Sequence, residues 1–140
     1  MKRLGIKLAY HNHDTEMRQS AREFHHMLRA TDAEHVHLCL DAHWIYRGAG
    51  DSQIALFDII DMYVNRVVEL HLRQSRKGIW TEDFCQGDVE YPRLVKILKE
   101  HDIRPHLVME QAVEPATENS LNAVEAHKLG LEYARSIFSG

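Results

Sequence analysis

The fold of this 140-residue chain is decided by residues 36–41, which read VHLCLD. Three apolar residues alternate there with a histidine, a cysteine and an aspartate, a pattern that predicts a β-strand with one apolar and one polar face. Residues 5–10, 67–72 and 106–109 show a similar alternation. In an open doubly wound sheet both faces read apolar, because helices cover both. The pattern therefore favours a barrel with helices outside and polar groups inside, or a sheet covered by helices on one side only.

Helical patterns separate the predicted strands. Apolar residues recur at helical spacing in four stretches. The first covers residues 16–30, and the second follows a capping residue at Asp51. The third begins near Pro92, and the fourth runs from about residue 120 to residue 138. Residues 74–90 are predicted to form a long loop. The order βαβαβαβα, without a linker or a low-complexity segment, is typical of a parallel sheet with helical crossovers. We therefore expect a single α/β domain over residues 1–140.

Side chains of metal-ligand type mark the ends of the strands. The last inward-facing residues of the four strands are His11, Asp41, His71 and Glu110. They lie at the carboxyl ends of the strands, where parallel barrels carry their active sites. Two imidazoles and two carboxylates suit a divalent ion such as Mn²⁺, Co²⁺, Zn²⁺ or Mg²⁺. The simpler alternative is that these are four unrelated polar residues, each hydrogen-bonded to loop backbone. All four, however, fall on the same face and at the same end of their strands, which favours a shared site.

Composition and charge exclude several classes of protein. With 17 basic and 21 acidic residues and a net charge of −4, the chain lacks the footprint of a nucleic-acid-binding protein or a polybasic membrane anchor. No apolar run approaches the ~20 residues of a membrane helix. Residues 1–5, MKRLG, carry no apolar signal region, so we expect a cytoplasmic protein. Two cysteines are too few for a disulfide framework, and eleven histidines favour metal or acid–base chemistry.

Five short motifs resemble a known family. They are LAYHNHD at 8–14, LDAHW at 40–44 with AGD at 49–51, ELHL at 69–72, GDV at 87–89 and VMEQ at 108–111. Together they are similar to the xylose-isomerase-like TIM-barrel superfamily, in the sugar phosphate isomerase/epimerase branch that includes inosose dehydratase. The resemblance implies a parallel (β/α)4 half of a TIM barrel, corresponding to strands five to eight and thus to the C-terminal half of the family fold.

The resemblance also implies roles for individual residues. By position, the family's divalent-metal ligands fall on His11, Asp41, His71 and Glu110. His11 stands where the isomerases carry a carboxylate, so a proton shuttle between two carboxylates is not implied, and the histidine form looks more like the inosose-dehydratase-related branch. The candidate catalytic residues are Glu110, His11 and His13. Position alone, independently of the resemblance, makes His13 and His43 candidates for a base, a substrate contact or an alternative ligand. The candidate substrate-binding residues are His43, Trp44 as an apolar wall or an ordinary core residue, and Arg73 as a phosphate or carboxylate binder or a solvated side chain. The loop 86–88 is expected to border the pocket, with Gly87 permitting a tight turn.

The implied function is that of a metal-dependent isomerase, epimerase or dehydratase, acting on a sugar or cyclitol through an enediolate-type intermediate. A complete barrel needs eight βα units and about 250 residues, whereas four units are found here. We therefore expect either a missing N-terminal half-barrel or a homo-oligomer that completes the barrel. The alternative is a non-catalytic, truncated half-barrel that self-associates and retains metal binding.

Overall fold

Four parallel strands form the main sheet. A computed structural model describes residues 4–139; residues 1–3, on which part of the expected cytoplasmic location rests, and residue 140 lie outside that range. The strands are β1 (Leu8–His11), β2 (Val36–Asp41), β3 (Val67–Leu72), β4 (Ser75–Arg76), β5 (Ile79–Trp80) and β6 (His106–Met109). The order in the main sheet is β1-β2-β3-β6, and every neighbouring pair is parallel. The predicted parallel α/β fold is confirmed, whereas β4 and β5 form a separate antiparallel hairpin inside the predicted loop.

The N-terminal stretch departs from its predicted boundaries. The first strand was expected from Gly5, but Gly5 lies in a turn with a φ of +66°, and Leu8 is the first residue paired with β2. The predicted helix over 16–30 begins as a short 3-10 turn, Thr15–Met17. Residues 19–21 then have φ angles of 52°, 60° and 57°, which makes the first turn of the following helix left-handed.

Five α-helices lie within residues 4–139. They are α1 (Arg18–Ala30), α2 (Ala42–Gly48), α3 (Gln53–Tyr63), α4 (Tyr91–Glu100) and α5 (Ala123–Phe138). The seven residues of α2 carry no full amphipathic repeat, and this helix was not predicted. The cap of α3 is Ser52, whose hydroxyl accepts from the amide of Ala55 at 3.2 Å; the predicted cap, Asp51, has a φ of +58° instead. None of these helices combines the length and the apolar character that crossing a bilayer requires.

The two faces of the main sheet differ as the alternation predicts. Its apolar face is buried under the helices, where Leu38, Leu40 and Leu70 form one core with Phe24 and Phe57. Burial of such side chains contributes roughly 1.5–3 kcal/mol each. On the opposite face, His11, Glu69 and His71 remain partly accessible to water, whereas Cys39 and Asp41 are buried. This asymmetry gives the sheet a covered back and a polar front.

The main sheet is open at both edges. Within the described residues, β1 pairs only with β2, and β6 pairs only with β3. Leu8 on β1 is 44% exposed and Leu107 on β6 is 40% exposed. In a closed barrel both edges are paired, which leaves no strand with free backbone groups.

Candidate metal site and its surroundings

The four strand-end residues converge on the polar front of the sheet. His11 ends β1, Asp41 ends β2, His71 lies near the end of β3 and Glu110 follows β6. One potential ligand atom from each of the four lies within 4.8 Å of the others. The structure thus brings together the four residues that the strand pattern selected.

Asp41 is held by groups that leave one of its oxygens facing the cluster. Its backbone amide donates to Asn12 Oδ1 and its carbonyl accepts from Asn12 Nδ2, both at 3.0 Å. Its Oδ1 caps α2 by accepting from the amide of Trp44 at 3.0 Å. The second oxygen, Oδ2, lies 3.6 Å from His11 Nε2. Asn12 was not singled out from the sequence, because its role depends on a backbone pairing between strands.

The guanidinium of Arg73 lies between the two carboxylates of the cluster. Its Nε is 3.0 Å from Asp41 Oδ2, and its Nη2 contacts Glu110 Oε1. His71 also contacts Glu110, through Nδ1. Burial raises the pKa of Glu110, but the hydrogen bonds and charges of Arg73 and His71 outweigh it and hold the pKa below its usual range. Glu110 is therefore ionised at neutral pH.

The chemistry of the cluster fits a divalent cation. Asp41 Oδ2 and His11 Nε2 are buried, and neither makes a hydrogen bond with another described residue. Arg73 Nε, although close to Asp41, is likewise without a hydrogen bond of acceptable geometry in the described part of the chain. The charge of Asp41 is paired with that of Arg73, but buried polar atoms normally also make hydrogen bonds, so Asp41 Oδ2 and His11 Nε2 have lone pairs available to a cation. Two imidazole nitrogens and two carboxylates form a donor set of borderline hardness, which suits Mn²⁺, Co²⁺, Zn²⁺ or Mg²⁺.

Aromatic rings stand beside the cluster. The centroids of Trp44 and Trp80 are 5.0 Å apart, with an interplanar angle of 71°. The Arg73 guanidinium carbon lies 5.1 Å from the first ring and 5.3 Å from the second, within cation–π range. His13 continues the row, at 4.7 Å from the ring of His11 and 6.1 Å from that of Trp44. Sequence reasoning missed Trp80, because it belongs to the hairpin inside the predicted loop.

His43 lies behind this aromatic wall. Its side chain is only 1% exposed, and its ring is 5.7 Å from that of Trp80. Burial is the main cause that lowers the pKa of His43 to about 4, with Asp41 opposing the shift and Arg47 adding to it. The imidazole is therefore neutral at physiological pH. The predicted contact of His43 with substrate stays a prediction, and the buried ring packs against Trp80.

The long loop that follows β3 is rigidly bonded. The Gln74 amide accepts from the backbone N–H of Val89 at 3.0 Å and donates to the carbonyl of the same residue at 2.9 Å. Asp88 accepts from the amides of Lys77 and Gly78 at 2.9 and 2.8 Å, and from the hydroxyl of Ser75 at 2.8 Å. Asp88 thus stabilises the hairpin of β4 and β5.

Gly87 was predicted to permit a tight turn, but the structure requires a glycine there for a different reason. Its φ is not among the positive values of the described glycines, so it does not supply a left-handed turn. A Cβ at this position would instead lie 2.2 Å from the carbonyl oxygen of Ser75 and 2.5 Å from Cγ of Gln74. The glycine is required because the two parts of the loop approach so closely.

Comparisons with known proteins agree with this architecture. A family model described as xylose isomerase-like TIM barrel matches residues 1–137. The chain belongs to the xylose isomerase-like TIM-barrel family. The predicted resemblance to this family is therefore confirmed.

Related members of the family are about twice as long. Inosose dehydratase of Clostridium perfringens is 29% identical over 147 aligned residues, which cover 91% of this chain and 48% of the relative. Inosose dehydratase of Histophilus somni is 25% identical, with 95% and 49% covered. The crystal structure of a sugar phosphate isomerase/epimerase from Parabacteroides distasonis superposes with a TM-score of 0.71 at 21% identity, covering 99% of this chain and 47% of that one. The chain spans about half the length of the relatives it matches.

Proposed function

We propose that this chain is the metal-binding half of a divalent-metal-dependent isomerase, epimerase or dehydratase that acts on a sugar or a cyclitol. The observation that carries the proposal is the convergence of His11, Asp41, His71 and Glu110 to within 4.8 Å on the polar front of the sheet. The names of the relatives, inosose dehydratase and sugar phosphate isomerase/epimerase, support this class of substrate.

The four converging residues would hold the ion. When bound, a divalent ion supplies stabilisation of negative charge on adjacent substrate oxygens. Glu110, kept ionised by Arg73 and His71, is the base that would remove the proton next to the substrate carbonyl, with His11 and His13 as further candidates. Isomerisation of the resulting enediolate returns the proton to the neighbouring carbon, whereas dehydration expels a β-hydroxyl group.

The aromatic wall would orient the substrate. Trp44 and Trp80 present apolar ring surface next to the cluster, and sugars place C–H groups against such surfaces. Arg73, lying over both rings, would bind a substrate oxygen through its guanidinium. His43 supports the wall from behind, because it is neutral and packed against Trp80.

The open edges of the sheet call for a partner. The free edges of β1 and β6 each expose a leucine, Leu8 and Leu107, and both edges would be paired in an eight-stranded barrel. We propose that an N-terminal half-barrel or a second copy of this chain supplies the missing strands. Sedimentation of the purified chain tests this: self-association is expected, and a stable monomer would contradict it.

The activity is tested with two proteins. The 140-residue chain alone is expected to bind Mn²⁺ or Co²⁺ but to show little turnover of sugars, sugar phosphates and inososes, because half of the enclosure of the site is missing. A protein that carries four additional βα units before residue 1 is expected to be active. Glu110→Gln should lower that activity by about 10²–10⁴-fold without loss of the fold.

One observation favours a second candidate function, a non-catalytic half-barrel that self-associates and binds metal. The chain covers only 44–49% of the inosose dehydratases that it matches. Metal binding without turnover in the longer protein would support this alternative. Absence of metal binding in both proteins would contradict both candidates.

A further inference from the structure

A second set of ligand-type side chains lies one level below the candidate metal site. Strand register places His11, Cys39 and Glu69 side by side on β1, β2 and β3. We call these three residues the lower row. Asp41 and His71 are paired one level higher, two residues further along each strand. Two residues of a strand span roughly 6.6 Å, so the two levels offer distinct positions for an ion.

Side-chain contacts connect the lower row to His71. Cys39 Sγ lies 3.1 Å from Glu69 Oε1, and the same oxygen lies 3.4 Å from His71 Nε2. One ligand atom each of His11, Cys39 and His71 lies within 4.8 Å of the other two. A thiol and two imidazoles are therefore close enough to bind one ion, and the Glu69 carboxylate borders two of these three groups.

The two nitrogens of the His71 ring face the two levels. Nδ1 contacts Glu110, which belongs to the upper position, whereas Nε2 faces Glu69 in the lower row. A histidine ligates metals through either nitrogen. His71 can thus serve an ion at either level without leaving its place on β3.

We propose a second divalent-ion position, formed by His11, Cys39 and His71. One sulfur and two nitrogens, with a water molecule as the fourth ligand, form a donor set for a tetrahedral, thiophilic ion such as Zn²⁺ or Cd²⁺. The ion binds the Cys39 thiolate, and the thiol proton leaves to solvent. The upper position, with its two carboxylates, takes the harder ions Mn²⁺ and Mg²⁺. Because both positions use His11 and His71, they are occupied alternately.

Cobalt is the probe that distinguishes the two levels. A Co²⁺–thiolate bond gives an intense charge-transfer absorption in the near ultraviolet that nitrogen and oxygen ligands do not give. We expect this absorption in the Co²⁺-loaded chain and expect Cys39→Ser to abolish it. Asp41→Ala, which removes a ligand of the upper position only, should keep it. Cys85→Ser is the matched control, since Cys85 lies outside both positions and its loss should leave the absorption unchanged.

Mn²⁺ binding, followed by electron paramagnetic resonance, is expected to show the reverse dependence: lost in Asp41→Ala and kept in Cys39→Ser. Cadmium NMR of the unmodified chain needs no variant, because a sulfur ligand shifts the ¹¹³Cd resonance strongly downfield. A ¹¹³Cd spectrum without a sulfur signature would overturn the lower position, as would a thiolate absorption that survives Cys39→Ser. Mn²⁺ binding in that case leaves the proposed function standing, so the two failures are distinguishable.

Discussion

Replacement of Arg73 by methionine tests the charge balance of the candidate metal site. Arg73 Nε lies 3.0 Å from an oxygen of Asp41, whose side chain is wholly buried. Methionine matches the length of the arginine stem but removes the charge. Removal of one partner of a buried ion pair costs about 3–5 kcal/mol, because the remaining charge is left without compensation. The contact with Glu110 adds little to this figure, since that carboxylate is 40% exposed.

A divalent ion should reverse part of this loss. The ion and the guanidinium neutralise the same two carboxylates, so the variant without Arg73 is expected to bind Mn²⁺ more tightly than the unmodified chain. Urea unfolding with and without Mn²⁺ measures the difference. The stability gap is the difference in the free energy of unfolding between the unmodified chain and Arg73→Met. If Mn²⁺ narrows this gap by roughly 1.4 kcal/mol, the variant binds the ion tenfold more tightly.

Arg22→Met is the matched control for Arg73→Met. The side chain of Arg22 is 67% exposed and, among residues 4–139, forms an ion pair only with its neighbour Glu23 at the surface. Its removal should change stability by less than about 1 kcal/mol, with the same response to Mn²⁺ as in the unmodified chain. The reasoning is refuted if a folded Arg73→Met variant binds Mn²⁺ more weakly, or if the ion leaves the stability gap unchanged.

Three further predictions concern the metal site and the long loop. Mn²⁺ should raise the melting temperature of the chain by mass action, and Asp41→Ala should remove most of this rise. His127→Ala, on α5, should leave the rise unchanged, and an equal rise in both variants would indicate adventitious binding. Burial raises the pKa of Asp88, but its hydrogen bonds outweigh burial and hold this pKa below the usual 3.8. The carboxylate therefore stabilises the fold above that pH, and this stabilisation is lost on further acidification. In Asp88→Asn, the loss of stability at acidic pH, followed by tryptophan fluorescence, should be smaller. Gly87→Ala should destabilise the chain by about 1–3 kcal/mol, because its Cβ would lie 2.2 Å from a carbonyl oxygen. A thermal melt of this variant that matches the unmodified chain would contradict the steric argument.

The strands could be predicted from the sequence because burial on one face leaves a period of two. The boundaries of β2, β3 and β6 follow from this alternation alone. The same parity placed Asp41 and His71 on the polar front, where the structure has them. The side of the sheet to which a side chain points is set within its own strand. A local sequence pattern is therefore sufficient to predict it.

The elements that the sequence did not reveal depend on contacts between distant residues. The hairpin of β4 and β5 has only two residues in each strand and is stabilised by Asp88, eight residues after Trp80. The pairing of Asn12 with the backbone of Asp41 and the contact of Cys39 with Glu69 both join separate strands. Such roles become visible only when the register of the sheet is known.

The hydrogen bonds of the Gln74 side chain affect which residues of the long loop after β3 can change. One side-chain amide bonds both backbone groups of Val89, as a neighbouring β-strand would do, and fixes the two ends of the intervening loop against each other. The exposed positions of the hairpin between these ends, such as Lys77 and Ile79, are then not needed to close the loop. Substitutions there can change the surface of the loop while the anchor stays the same. Gln74 thus lets this surface vary separately from the integrity of the fold.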